Sequence, residues 1–224
     1  MKTHVLITGI NGFVAGNLSK LLIKEGYNVF GLCRSKKRKS FIYYEKLDDQ
    51  ITFLQGDLSD YFLLDRIIIE ENINIVFHLA AQVEVGIAQK NPFLTYETNI
   101  RGSYTLLDVL NKNSNSIDAV IIASSDKSYG IYPQNKMPYK EDYPLKPNYP
   151  YDISKACMDL ISLSYASDLY KLPLIVTRFS NIYGPGQLNF SALIPDIIKC
   201  SLGYGDFYPR SNGLAIRDFL YVED

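Results

Sequence analysis

Tyr151 and Lys155 stand four residues apart, a spacing that puts a phenol and an ammonium on one face of a helix. A cation beside a phenol lowers its pKa from the usual value of about 10, so the pair predicts a tyrosinate base near neutral pH. Two upstream stretches complete a chemical set. Thr8-Gly9-Ile10-Asn11-Gly12-Phe13-Val14-Ala15-Gly16 follows the apolar run Val5-Leu6-Ile7, and Ser124-Ser125-Asp126-Lys127-Ser128-Tyr129-Gly130 follows Ala119-Val120-Ile121-Ile122-Ala123. In the first, Gly9 and Gly12 bring the backbone close to a pyrophosphate held at a helix N-terminus, with Asn11, Phe13 and Val14 as further cofactor contacts. Ala15 is tolerated at the third position of that fingerprint, which only mediates helix–sheet packing. In the second, Ser125 ends a strand at the edge where such sheets bind ligands. Asp126 and Lys127 beside it can divide acid and base work if their pKa values are pushed apart. A lone Gly-x-x-Gly or Tyr-x-x-x-Lys arises by chance; the three pieces in this chain order carry the reading.

Strand-length apolar runs alternate with helical patterns, the signature of an α/β doubly wound parallel sheet, the Rossmann arrangement. The pattern predicts strands at 5–8, 28–33, 51–54, 75–79, 119–124 and 174–178. Helices are predicted at 17–25, 61–71, 93–111, 151–170 and 192–200. Segment 131–148 holds Pro133, Pro138, Pro144 and Pro147, so it is a loop. Its place between the two catalytic segments makes it one expected wall of the substrate site. The pattern changes near Gly184-Pro185-Gly186. This divides the chain into a Rossmann domain over 1–180 and a small, partial substrate-binding subdomain over 181–224. At the end of the second strand a carboxylate would bond a ribose 2′-hydroxyl. Arg34 stands there instead, followed by Lys36, Lys37, Arg38 and Lys39. A guanidinium can fork onto a phosphate, so the expected cofactor is NAD or NADP, with NADP slightly favoured.

Further motifs extend the set: Gly56-Asp57-Leu58, His78-Leu79-Ala80-Ala81-Gln82, Thr98-Asn99-Ile100-Arg101-Gly102, Arg178-Phe179-Ser180-Asn181-Ile182-Tyr183-Gly184-Pro185 and Arg217-Asp218-Phe219. With the glycine turn, Ser125, Tyr151 and Lys155, they make the chain similar over essentially its whole length to the extended short-chain dehydrogenase/reductase family. Its nucleotide-sugar epimerases and dehydratases are the members it resembles. That resemblance implies that Asp57 and Leu58 meet the adenine end and that Leu79, Ala80 and Ala81 face the nicotinamide half. Asn99 is either a cofactor contact or a structural asparagine, and Asn181 and Arg217 bind substrate. Ser125 would bond the substrate's C4 oxygen while Tyr151 removes its proton and Lys155 binds the nicotinamide ribose.

The Ser125-Asp126-Lys127 triplet looks most like CDP-glucose 4,6-dehydratase and its relatives, since a 4-epimerase needs no extra acid or base there. The expected reaction turns an NDP-hexose into an NDP-4-keto-6-deoxy-hexose, with Lys127 taking the C5 proton and Asp126 protonating the departing C6 oxygen. A 4-epimerase or 4-keto reductase on the same scaffold is the enzyme alternative. A truncated, non-catalytic cofactor-binding protein is the other, because the chain stops at Asp224 where family members continue. The two long predicted helices, 93–111 and 151–170, would form a homodimer interface, as in relatives.

Composition bounds the remainder. The 224 residues are 47% hydrophobic and 21% charged, ordinary for a globular protein. A net charge of −1 offers no field to recruit nucleic acid or an anionic membrane. Cys33, Cys157 and Cys200 are too scattered for a disulfide framework or zinc site, which favours a reducing cytoplasm. With only His4 and His78, no metal site is expected. No stretch approaches the roughly 18 apolar residues of a membrane span.

Overall fold

The apolar runs become strands buried on both faces, as a parallel sheet covered by helices requires. The computed structural model describes residues 2–209, 212–214 and 216–224. Strands β1 (His4–Thr8), β2 (Asn28–Cys33), β3 (Ile51–Gln55), β4 (Ile75–His78), β5 (Ala119–Ser125) and β6 (Leu174–Phe179) form one sheet in the order β3-β2-β1-β4-β5-β6. Every pairing is parallel, with Leu6 opposite Phe30 on one side and Val76 on the other. The order reverses direction between β1 and β4, the switch point at which such sheets open a ligand crevice.

Helices α1 (Phe13–Lys24), α2 (Phe41–Tyr44), α3 (Tyr61–Glu70), α4 (Val85–Lys90), α5 (Pro92–Tyr96), α6 (Gly102–Lys112), α7 (Pro150–Ala166) and α8 (Leu193–Ser201) complete the chain order. Successive strand residues point to opposite faces, which divides the core in two. Leu6, Val76 and Ile122 pack with Leu64 and Ile68 of α3, Leu106 and Leu110 of α6 and Met158 of α7. Val5, Ile7 and Val29 pack on the other face with Ala15 and Leu22 of α1 and with Ile42. Among the described residues, no helix is long and apolar enough to cross a membrane.

Local chemistry sets several boundaries. Asp60 caps α3 by accepting from the Leu63 N–H at 3.0 Å, and Asn91 caps α5 with Pro92 in the first position. Helix α1 begins at Phe13, four residues before the pattern predicts, because the turn closed by Gly12 N–H to Gly9 O leads straight into it. The helix expected over 93–111 is interrupted by a π turn, Glu97–Arg101, between α5 and α6. Helix α7 stops at Ala166 rather than at 170, where the Ser167 hydroxyl takes the Ser164 carbonyl and the backbone leaves helical geometry. Past β6 a small parallel pair, β7 (Asn181–Tyr183) with β8 (Phe219–Tyr221), stands apart from the main sheet.

Candidate active site

A cleft of about 1000 Å³ opens along the C-terminal edge of the sheet. The glycine turn forms its floor. Gly9 has φ +72°, and a Cβ there would lie 2.7 Å from Ala80 Cα, so only glycine lets the two segments approach this closely. Gly12 caps α1 without any side-chain hydrogen bond, which leaves the first-turn N–H groups at Phe13 and Val14 facing the cleft. The Asn11 amide donates to Ser35 O at 2.9 Å and accepts from Lys37 N–H at 3.2 Å, bracing the loop that carries Arg34. An uncapped helix end, a cradle a side chain would fill and a flanking guanidinium fit a dinucleotide.

Arg34, Asp57 and Leu58 line the cleft at one end, and Leu79, Ala80 and Ala81 form its wall beyond β4. Hydrogen bonds from the Ser59 backbone and hydroxyl hold the Asp57 carboxyl below its usual range, with help from Arg34 and Arg101. Lys36 sits over the Phe53 ring, 4.7 Å from its centroid, which leaves Arg34 and Lys37 as the basic residues of this segment on the cleft.

At the other end β5 delivers Ser125, and a 3₁₀ turn carries Asp126 and Lys127. Their ammonium and both carboxylate oxygens are 3.0 Å apart. The Ser125 hydroxyl donates to Asp126 at 3.2 Å and accepts from the Lys127 N–H. Helix α7 brings Tyr151 and Lys155 to the same cleft, which Asn181 and Arg217 also line.

Burial overturns one expectation. The phenol of Tyr151 is not lowered by Lys155: desolvation pushes it up to about 12, Ser125 draws it back and the Asp126 and Asp152 charges add to the rise. Desolvation also pushes the nearly enclosed Lys155 ammonium down to about 8, and its Nζ donates to Ala123 O at 2.7 Å. Both groups are thus biased toward their neutral forms.

One open alternative is resolved, and one further placement differs from expectation. Asn99 is fully buried behind the wall and does not reach the cleft. Its amide bonds the Gln82 N–H and C=O and the Ser154 hydroxyl, which makes it the structural asparagine of the two alternatives. Among the described residues, none from 131–148 lines the cleft. That loop is pinned instead to the back of the Asp126 turn. Tyr139 stacks on Tyr129 at 4.7 Å, and Arg178, gripped by Asp159 at 2.7 and 2.9 Å, donates to Tyr129 Oη and Glu141 O.

The residue patterns did not single out Asp152. It is buried beside Tyr151, and burial raises its carboxyl pKa, with Lys127 pulling it down and Asp126 pushing it up. Its only sequence signal was its place inside the Tyr151–Lys155 motif. Also unforeseen were Val83, Val85, Phe179 and Leu193 on the cleft.

A family model described as GDP-mannose 4,6 dehydratase matches residues 6–224. The chain belongs to the extended short-chain dehydrogenase/reductase family. Within this family it is 30% identical to a UDP-glucose 4-epimerase of Lactobacillus helveticus, over 98% of this chain and 68% of the relative. It is 29% identical to the human dTDP-D-glucose 4,6-dehydratase, over 99% of this chain and 63% of that protein. A crystal structure of dTDP-glucose 4,6-dehydratase from Bacillus anthracis in complex with NAD superposes with a TM-score of 0.85 at 30% identity, covering 99% of this chain and 68% of that one. The chain therefore spans between 63% and 68% of the length of these relatives. Epimerases and dehydratases of the family both match at similar identity, so the choice between them rests on the chain's own residues.

Proposed function

We propose that this chain carries the cofactor-binding and catalytic part of an NAD(P)-dependent nucleotide-sugar 4,6-dehydratase. The Asp126–Lys127 pair beside Ser125 carries this reading. Oxidation at C4 needs a base and an orienting hydroxyl, which Tyr151 and Ser125 supply. Loss of water across C5–C6 needs an additional base and acid, and the pair meets that need. A bound nicotinamide would supply a reversible hydride acceptor, so that hydride lost from C4 is returned at C6 and the cofactor is unchanged over a turnover.

The residues then divide the proton work. Ser125 holds the C4 oxygen while the tyrosinate form of Tyr151, the minor form in the buried site, takes the hydroxyl proton. The 4-keto group acidifies the C5–H bond, and Lys127 in its neutral form accepts that proton. Asp126 in its acid form protonates the C6 oxygen, which leaves as water, and Lys127 then returns its proton to C5 as hydride would be restored at C6. This division requires the proton of the ion pair to sit on Asp126 rather than Lys127. Gly9, Asn11, Gly12, Phe13 and Val14 would hold the pyrophosphate, Asp57 and Leu58 the adenine end, and Leu79, Ala80, Ala81 and Lys155 the nicotinamide half. Arg34 supports NADP, while the NAD of the Bacillus anthracis relative weighs for NAD. Asn181 and Arg217 would hold the sugar nucleotide, with residues 181–224 as the substrate side. Exposed Tyr104 on α6 and Leu160 and Leu163 on α7 support a homodimer through these helices.

The kinship with UDP-glucose 4-epimerases keeps one rival, a 4-epimerase on the same scaffold. Product mass decides, because dehydration removes one water and epimerisation changes no mass. CDP-glucose, dTDP-glucose, UDP-glucose and GDP-mannose are the substrates to supply. The double variant Asp126→Asn, Lys127→Met should still reduce bound nicotinamide, seen near ~340 nm. It should then stall, with C5 deuterium exchange and keto-deoxy product suppressed together. Dehydrated product at near wild-type rate would remove the pair from the mechanism, and C4 epimers without water loss would establish the rival.

A further inference from the structure

His78 closes β4 in complete burial, and both of its ring nitrogens are committed. Nδ1 lies 2.8 Å from the Thr8 hydroxyl and Nε2 2.8 Å from the Ser103 hydroxyl. The Ser103 proton is spent on Asn99 O at 2.6 Å, so Ser103 must accept from the ring. Nε2 therefore carries the hydrogen and Nδ1 accepts from Thr8, whose oxygen in turn receives the Ala80 N–H at 3.1 Å. Burial, with the Lys155 ammonium nearby, pushes the imidazole down to about 3, so it stays neutral at working pH.

The relay continues in the other direction. Asn99 accepts from Gln82 N–H at 2.7 Å and donates to Gln82 O at 3.0 Å and to Ser154 Oγ at 2.9 Å. Ser154 donates to Tyr151 O at 2.7 Å, inside the first turn of α7. Residues 79–82 have left the sheet and pair with no strand. Side chains of Thr8 and Asn99 anchor their backbone instead.

We propose that His78 is a positioning residue that ties the wall of the dinucleotide cleft to the helix carrying Tyr151. Through Thr8 it sets the distance of Ala80 from the glycine turn. Through Ser103 and Asn99 it sets Gln82 and, by way of Ser154, the first turn of α7. The approach of Ala80 to Gly9 leaves no space for even a methyl group, so a shift of a few tenths of an ångström changes the width of the cradle. The inference rests on the dinucleotide reading and is independent of the choice between dehydratase and epimerase.

Its test separates the two arms. In His78→Asn the amide occupies the Nδ1 position and keeps Thr8; in His78→Gln it reaches Ser103 instead. NAD and NADP are titrated calorimetrically into each protein, and hydrogen exchange is followed in segments 79–83 and 149–157. His78→Gln should weaken the preferred cofactor roughly 5–20-fold, the loss of one buried hydrogen bond, and leave 149–157 protected. His78→Asn should bind cofactor within about twofold of wild type while 149–157 exchanges roughly 5–20-fold faster. Thr8→Val should copy His78→Gln, Thr8→Ser should restore wild-type binding, and Ser103→Ala should copy His78→Asn. If neither His78 variant folds, the Thr8 and Ser103 variants decide alone. Equal losses in both readouts for every variant, or none in either, would overturn the inference and leave a general packing role. Wild-type protein that binds neither dinucleotide would overturn the cofactor reading itself, and the cofactor arm with it.

Discussion

Replacing Lys155 with methionine should make the protein more stable at neutral pH. The ammonium is 4% exposed and is pushed down to about 8 from an ordinary 10.5. Each pKa unit is about 1.36 kcal/mol, so keeping this cation folded at pH 7 costs about 3 kcal/mol relative to the unfolded chain. Against this, methionine abandons the Ala123 carbonyl that Nζ now bonds, a loss of about 1–2 kcal/mol. The net gain for Lys155→Met is about 1–2 kcal/mol.

The pH dependence carries the sign. Above pH 10.5 lysine is neutral in both states, the penalty is gone, and only the lost hydrogen bond separates the two proteins. As pH falls from 10.5 through 8 the unfolded chain takes up a proton that the folded one resists, and wild-type stability drops. Below 8 both states are charged and the penalty is constant. Urea unfolding of both proteins at pH 7 and at pH 10.5 is the assay. The variant should be the more stable at pH 7 and the less stable at pH 10.5, with turnover lost. A variant less stable than wild type at pH 7, or a difference that does not change with pH, would refute the desolvation argument.

Tyr151→Phe keeps the ring's packing and removes the base, so turnover should fall about 10²–10⁴-fold with little change in neutral-pH stability, and a rate above half of wild type would exclude Tyr151 as the base. Because burial raises this phenol to about 12, the wild type loses stability as pH climbs from 10 through 12, and the phenylalanine variant should outlast it there in thermal melts. Arg34→Ala should weaken NADP by about 1.5–3 kcal/mol and barely affect NAD in calorimetry; equal losses for both would mean that Arg34 only braces its loop.

The sheet was legible because each strand is a short apolar run bounded by turn residues, and β2 matches its predicted span at both ends. The glycine turn, Ser125, Tyr151 and Lys155 were legible because their spacing is local or follows a strand end. What escaped depends on burial and distant partners. Nothing in Tyr-x-x-x-Lys reveals that the lysine is enclosed and turned to a strand carbonyl, so the sign of the phenol's pKa change was misjudged. Asn99 looks the same in sequence whether it faces a cofactor or Gln82; only the fold decides. The prolines kept α-helix and strand out of 131–148, which holds only the short 3₁₀ turn Gln134–Lys136, but they could not say on which side of the Asp126 turn the loop would lie. The short helix α4 was hidden by Gly86 and by a span of six residues, too brief for a helical period to register.

The π turn at Glu97–Arg101 inserts one residue into what would otherwise be a single helix from Pro92 to Lys112. One residue is about 100° of rotation, so α5 and α6 are out of phase by that angle. The insertion lets one rod present Asn99 to Gln82 and Ser154 while Leu106, Leu107 and Leu110 face the core. Deleting any one of the five residues would regularise the hydrogen bonding and still damage the protein, because every side chain on one side of the cut would turn away from its partners. Local helical quality and global fit are opposed here. A stretch of sequence that looks like the easiest place to shorten the chain is one of the few where length itself carries the information.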